Sequence, residues 1–190
     1  MIKKVIVFTL MFMLIFSSIS LAKVGEAQLE SADKLVALGL LTGYEDGSLK
    51  LENNISRAEF TTIAVRLIAK DHLVDKYKKD TAFSDVSKNN WSAPYINIAV
   101  NEGLIKGYTD GTFKPNRKVS YGEVLTILVR LLGYEDSLNE NDTWPVNYAK
   151  VAVDLNLNGN LKLPLKSFAP RGDVAHFVDN SLSVKLNKSY

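Results

Sequence analysis

Apolar residues recur at helical spacing in two stretches that lie 64 positions apart. Ala32, Leu35, Val36 and Leu38 make the first, and Ile96, Ile98, Ala99 and Val100 make the second. Gly39 and Gly103 come next, where a helix end favours a left-handed residue, and Leu40 or Leu104 supplies the apolar contact of such a cap. Asp46-Gly47 and Asp110-Gly111 follow as turns, since glycine reaches positive φ and aspartate bonds the local backbone. Pro115-Asn116 adds a bend to the second stretch. A second helix is then expected in each. Ser56 and Glu59 fit the N-cap and N3 positions of a capping box, with Ile55 and Phe60 as its apolar staple. Ser120, Glu123, Val119 and Val124 repeat that pattern. Ile63, Ala64, Leu67 and Ile68 continue the first of these helices; Leu125, Leu128, Val129 and Leu132 continue the second.

The register is shared along the whole stretch. With Gly43 over Gly107, Ala37 to Leu49 lies on Asn101 to Phe113, and Ile55 to Phe60 lies on Val119 to Val124 without a gap. A weaker third copy places Tyr148 to Leu157 over Tyr95 to Leu104, and Pro170 to Val174 over Ser56 to Phe60. Between those parts, residues 158–168 hold no G-Y-x-D-G turn. Three helix-loop-helix units are expected to bury their apolar faces against one another as an all-α bundle.

The remaining features bound the class. Lys3 and Lys4, the apolar run Val5 to Phe16, and small residues at Ser20 and Ala22 read as a secretory signal peptide cleaved after Ala22. The run falls short of the roughly 20 residues of a spanning helix, which makes an uncleaved anchor the alternative. Without residues 1–22, which hold two lysines and no acids, basic and acidic residues balance at 21 each. That neutrality argues against a nucleic-acid partner. With no cysteine, disulfides, thiol nucleophiles and thiolate metal sites are excluded.

The residues resemble the S-layer homology (SLH) family. Phe83-Ser84-Asp85-Val86, Trp91, Gly103-Leu104-Ile105-Lys106-Gly107-Tyr108-Thr109-Asp110-Gly111-Thr112-Phe113-Lys114-Pro115 and Val119-Ser120 follow its repeat in order. The first unit keeps Ser56-Arg57-Ala58-Glu59-Phe60 but lacks the opening F-x-D-v and the tryptophan. The expected division is a signal peptide at 1–22, repeat 1 at 23–76, repeat 2 at 77–138, and a degenerate repeat 3 with a C-terminal tail at 139–190. The resemblance implies a pseudo-threefold bundle (a three-pronged spindle) whose grooves hold a secondary cell-wall polysaccharide bearing pyruvate ketals. It implies that the motif arginine meets the anionic sugar. It further implies a non-catalytic, exported module on the bacterial wall, with no cofactor and, as the chain ends soon after the repeats, no cargo domain.

Physical chemistry nominates the same residues. Arg57 is expected in the first turn of a helix, where free amides and the helix dipole favour an anion, and a guanidinium can clamp a carboxylate through two bonds. Arg57→Ala is therefore expected to weaken binding without unfolding the domain. The plainer alternative is a surface arginine paired with Glu59 or with solvent. Gly43 and Gly107 would admit a sugar close to the backbone, and Tyr44, Tyr108 or Trp91 could stack on it. Trp91 is expected in the core rather than on a sugar face, and the same caution extends to Tyr95 and Tyr148. The second unit has Tyr121 where the arginine belongs, while the third keeps Arg171 behind Pro170. Sorted by unit, this leaves one good clamp at Arg57, a doubtful second unit and a third that serves as scaffold.

Other classes fit less well. His72 and His176 are the only histidines, and Asp173 and His176 at i, i+3 read as capping and packing rather than as a metal pair. Glu45-Asp46-Gly47 and Thr109-Asp110-Gly111 lack the alternating oxygen ligands of a calcium loop. The serious competitor is a degenerate module that binds another envelope protein.

Overall fold

The computed structural model describes residues 24–159 and 163–190. The signal peptide expected at 1–22 lies outside the described residues, among which no helix is long and apolar enough to cross a membrane. Among the described residues six α-helices form: α1 (Glu26–Ala37), α2 (Arg57–Leu67), α3 (Ala93–Asn101), α4 (Tyr121–Leu132), α5 (Val146–Asp154) and α6 (Arg171–Ser181). Short 3₁₀ turns occupy Asp71–Tyr77 and Glu135–Ser137. No strand is formed among the described residues, and the all-α expectation holds.

Local chemistry sets the helix ends. Ser56 and Ser120 each cap a helix, and both capping boxes close reciprocally with Glu59 and Glu123. Gly39 (φ 72°) and Gly103 (φ 73°) end α1 and α3 in the left-handed region. The Leu40 amide then reaches Leu35 O, and the Leu104 amide reaches Ala99 O, both at 2.9 Å. In the third unit Asn156 takes the same place at φ 54°, and Leu157 bonds to Ala152 O. Both Asp-Gly turns form alike. Asp46 Oδ1 accepts the Ser48 amide and Asp110 Oδ1 the Thr112 amide, each at 3.0 Å.

The helices do not pair within units. Each second helix packs on the first helix of the following unit: α2 on α3, α4 on α5, and α6 back on α1 to close a circle. No unit can bury its apolar faces alone. At the centre, one residue from each unit completes a ring of backbone hydrogen bonds. Val119 N–H donates to Ile55 O at 3.0 Å, Ala169 N–H to Val119 O at 2.9 Å, and Ile55 N–H to Ala169 O at 3.1 Å. All three residues are fully buried, so the ring satisfies polar groups that water cannot reach.

Candidate functional site

The opening residues of α2, α4 and α6 all face the neighbouring unit. In α2 the Arg57 and Ala58 amides donate to Arg117 O and Pro115 O; in α4 Tyr121 and Gly122 donate to Ser167 O and Leu165 O; in α6 Arg171 and Gly172 donate to Asn53 O and Leu51 O. The free amides expected at Arg57 are thus already bonded, and the Glu59 amide goes to Ser56 Oγ. These three amides of the first turn of α2 are therefore engaged within the protein.

The side chains cross the same junctions. Arg57 is 6% exposed; its Nε donates to Phe113 O at 2.9 Å and its Nη1 to Glu123 Oε1 at 2.8 Å. Its guanidinium lies 4.7 Å from the Tyr108 ring centre. Glu123 also accepts from the Tyr108 hydroxyl at 2.8 Å, the Ser120 amide at 2.8 Å and Arg117 Nη1 at 2.9 Å. Burial alone would raise the Glu123 pKa, but the Ser120 amide, the Arg57 charge and the Tyr108 hydroxyl outweigh it and hold the carboxyl below its ordinary value.

One junction along, Arg171 takes the place of Arg57. It is 4% exposed, donates to Leu49 O and Thr42 O, and pairs with Glu59 at 3.5 Å. Burial and the hydrogen bond to Glu59 push the Tyr44 hydroxyl up to about 12, against the opposing charge of Arg171. For Glu59, burial is again outweighed, here by Ser56 and Tyr44, and its pKa is lowered.

A cleft opens beside each of these junctions. One of about 300 Å³ lies between the Gly107-Tyr108 loop, α4 and Trp144. Another of about 340 Å³ lies between the Gly43-Tyr44 loop, α2 and Trp91. Most of their lining residues correspond by position in the repeat: Thr126, Ile127 and Arg130 in the first answer Thr62, Ile63 and Arg66 in the second. Trp91 is 58% exposed and Trp144 56%, so the expected core placement of Trp91 is wrong. Each indole stands two residues before the first helix of the following unit, where it lines a cleft. Tyr95 is half-buried at the wall of its cleft, and Tyr148 is buried.

The third junction is built differently. Tyr121 donates its hydroxyl to Asp173, which also accepts from Gln28 Nε2 at 3.1 Å. Burial and that bond to Asp173 push the Tyr121 hydroxyl far up. His176 Nδ1 is hydrogen-bonded to Ser31 Oγ at 3.1 Å, so the Asp173 and His176 side chains hold α1 against α6. Where Trp91 and Trp144 stand before Gly103 and Asn156, Ala27 stands before Gly39.

Several sequence expectations change accordingly. Arg57 pairs with neither Glu59 nor solvent but with Glu123 of the next unit. Arg57→Ala would leave that carboxylate without its buried partner and would destabilise the fold, contrary to expectation. The second unit needs no arginine of its own, because Arg57 serves its loop and Arg171 serves the first unit's loop. Tyr121 faces the unit whose loop lacks the G-Y-x-D-G turn. Gly107 is needed for packing: a Cβ there would come within 2.1 Å of the Phe83 ring, so that side is closed to a sugar. Gly43 meets only the Ser48 and Gly47 carbonyls, at 3.2 and 3.3 Å. The Tyr44 ring is flanked by Arg171 and Lys50, and the Tyr108 ring by Arg57 and Lys114, leaving the two indoles as the open aromatic faces.

The Asp46-Gly47 and Asp110-Gly111 carboxylates are spent on their own turns and on Lys50 and Lys114. Asp85 of the F-x-D motif accepts the Phe113 and Lys114 amides at 2.8 and 2.7 Å, fastening the loop of the second unit. Sequence reasoning missed Arg66, Arg130, Arg117 and Trp144. Extending the match of Tyr148 over Tyr95 by one helical turn would have put Trp144 over Trp91.

The S-layer homology domain family matches residues 27–61 and 82–125. The middle cell wall protein of Brevibacillus brevis is 36% identical over 157 residues, covering 83% of this chain and 15% of that protein. The surface layer protein of Brevibacillus choshinensis is 34% identical over 165 residues, 86% of this chain and 14% of its own. The cellulosome-anchoring protein of Acetivibrio thermocellus is 34% identical over 92 residues, 48% of this chain and 21% of its own. The chain thus spans a seventh to a fifth of the length of these relatives.

Proposed function

The chain belongs to the S-layer homology family, and from that premise we propose that it is a non-catalytic module that fastens to the bacterial cell wall by gripping an anionic wall polysaccharide in its two clefts. The ligand on this reading is a secondary wall polymer carrying pyruvate ketals, and the module works outside the cell after loss of residues 1–22. The observation that carries the reading is the matched pair of clefts, each setting an exposed indole beside arginines. Indoles offer an apolar face to a sugar ring, and guanidinium groups suit a carboxylate. The relatives' printed names, a wall protein, a surface-layer protein and an anchoring protein, fit the same role.

The test is sedimentation of the full chain with wall sacculi before and after extraction of the polysaccharide, and again after release of its pyruvate by mild acid. Binding should disappear with the polysaccharide and weaken with the pyruvate. A protein partner in the envelope is the second reading, favoured by the third junction, which has neither the arginine nor the tryptophan. Binding that survives extraction of the polysaccharide would select it.

A further inference from the structure

We propose that the two clefts read different parts of the wall polymer: Arg66 binds the carboxylate of an acidic sugar in the cleft beside Trp91, while the cleft beside Trp144 takes a neutral sugar. This rests on the wall-polysaccharide reading and adds which side chain meets the charge. The arginines nearest each loop are already committed. Arg57 is spent on Phe113 O and Glu123, and Arg171 on Leu49 O, Thr42 O and Glu59. Recognition of an anion falls to the next arginine along each helix.

Arg66 and Arg130 hold the same place on α2 and α4, and each directs Nη1 at the carbonyl just past the left-handed glycine. Arg66 reaches Leu40 O at 3.5 Å and Arg130 reaches Leu104 O at 3.4 Å. There the likeness ends. Arg130 pairs with Glu135 at 3.1 Å, contacts the Tyr148 hydroxyl at 3.3 Å through both Nε and Nη2, and lies 5.3 Å from that ring. Tyr148 in turn donates to Glu135 at 2.7 Å, which closes the set. Among the described residues no carboxylate forms an ion pair with Arg66, and its one long bond leaves the fork of donors open to the cleft. A half-buried guanidinium without an ion-pair partner, lining the same cleft as Trp91 and Tyr95, is suited to bidentate capture of a carboxylate. In the other cleft the remaining lining cation is Lys106, an exposed ammonium that lies in the field of Glu135 and that water and salt screen.

The experiment titrates the full chain with purified wall polysaccharide, native and after mild-acid release of its pyruvate ketals. Arg66→Gln should weaken binding of the native polymer at least tenfold and leave binding of the ketal-free polymer unchanged. Arg130→Gln should change both affinities by the same factor, and Arg66→Lys should recover only part of the loss. The thermal midpoint of Arg66→Gln should stay within a few degrees of the parent, because only a long hydrogen bond is removed. Equal losses for Arg66→Gln and Arg130→Gln on native polymer, or an equal loss on both polymers for Arg66→Gln, would overturn the proposal while leaving wall binding intact. A parent chain that binds neither polymer would overturn both this proposal and the reading beneath it.

Discussion

The junction of Arg57 with Glu123 and the junction of Tyr121 with Asp173 have the same backbone and share almost none of the same chemistry. In both, two amides of a helix start donate to carbonyls of the neighbouring unit, and a central residue joins the buried ring. In the first, a buried ion pair stands beside a cleft with an exposed indole. In the second, a phenol donates to a carboxylate, Ser31 stands where Tyr95 and Tyr148 stand elsewhere, and Ala27 stands where the tryptophans stand. The site is written in side chains laid over a frame that main-chain bonds hold by themselves. Each junction draws on three units, so one blank junction records changes in all three: Tyr121 from the second, the missing turn from the third, and Ala27 from the first.

The two junctions should differ most in stability. Glu123→Ala leaves the Arg57 guanidinium buried without its carboxylate and should cost about 3–5 kcal/mol in urea denaturation. Tyr121→Phe removes one hydroxyl and should cost about 1 kcal/mol. Equal costs would mean that the two junctions carry the same load. The two complete junctions can be compared next through their glycines. Gly107→Ala drives a methyl into the Phe83 ring and should cost about 1–3 kcal/mol, whereas Gly43→Ala makes tight contacts with the Ser48 and Gly47 carbonyls at 3.2 and 3.3 Å but no overlap, and should cost less.

Binding sharpens the contrast further. Trp91→Ala and Trp144→Ala should each weaken polysaccharide binding about tenfold, or about 1.4 kcal/mol, with little change in thermal midpoint, because both indoles are exposed. Ala27→Trp should restore nothing, since the third junction has no arginine beside it. The smallest effect is acid sensitivity. Glu59 and Glu123 have folded pKa values below the ordinary 4.5, so their stabilisation is complete above that value and is lost as pH falls through the folded value. Thermal midpoints should be flat from pH 7 to about 5 and decline below, and Glu123→Gln should make that decline shallower.

What could be read from the sequence was what a few neighbouring residues determine. Ser56 with Glu59, Gly39 with Leu40 and Asp46 with Gly47 each close their bonds within a turn, so spacing alone reveals them. The partner of Arg57 could not be read that way. It lies in the next unit because each second helix packs outside its own repeat, and nothing within one repeat signals that exchange. The same non-locality misplaced Trp91, whose apolar bulk suggests the core until the cleft it borders is assembled from a neighbouring loop and helix. Arg66 and Arg130 carry identical sequence signals. Each is followed by an acid that opens a 3₁₀ turn, Asp71 after α2 and Glu135 after α4, but only Glu135 reaches its arginine.

The closed ring of Ile55, Val119 and Ala169 has a consequence for how such a domain can change over time. An open stack of repeats can grow or shrink by one unit, because its end units keep a spare face. A circle of three has no spare face and no terminal unit. Deleting a unit would leave a central amide and a central carbonyl buried without partners, and duplicating one would force the circle open. The copy number is fixed by closure, and variation is confined to what each junction displays.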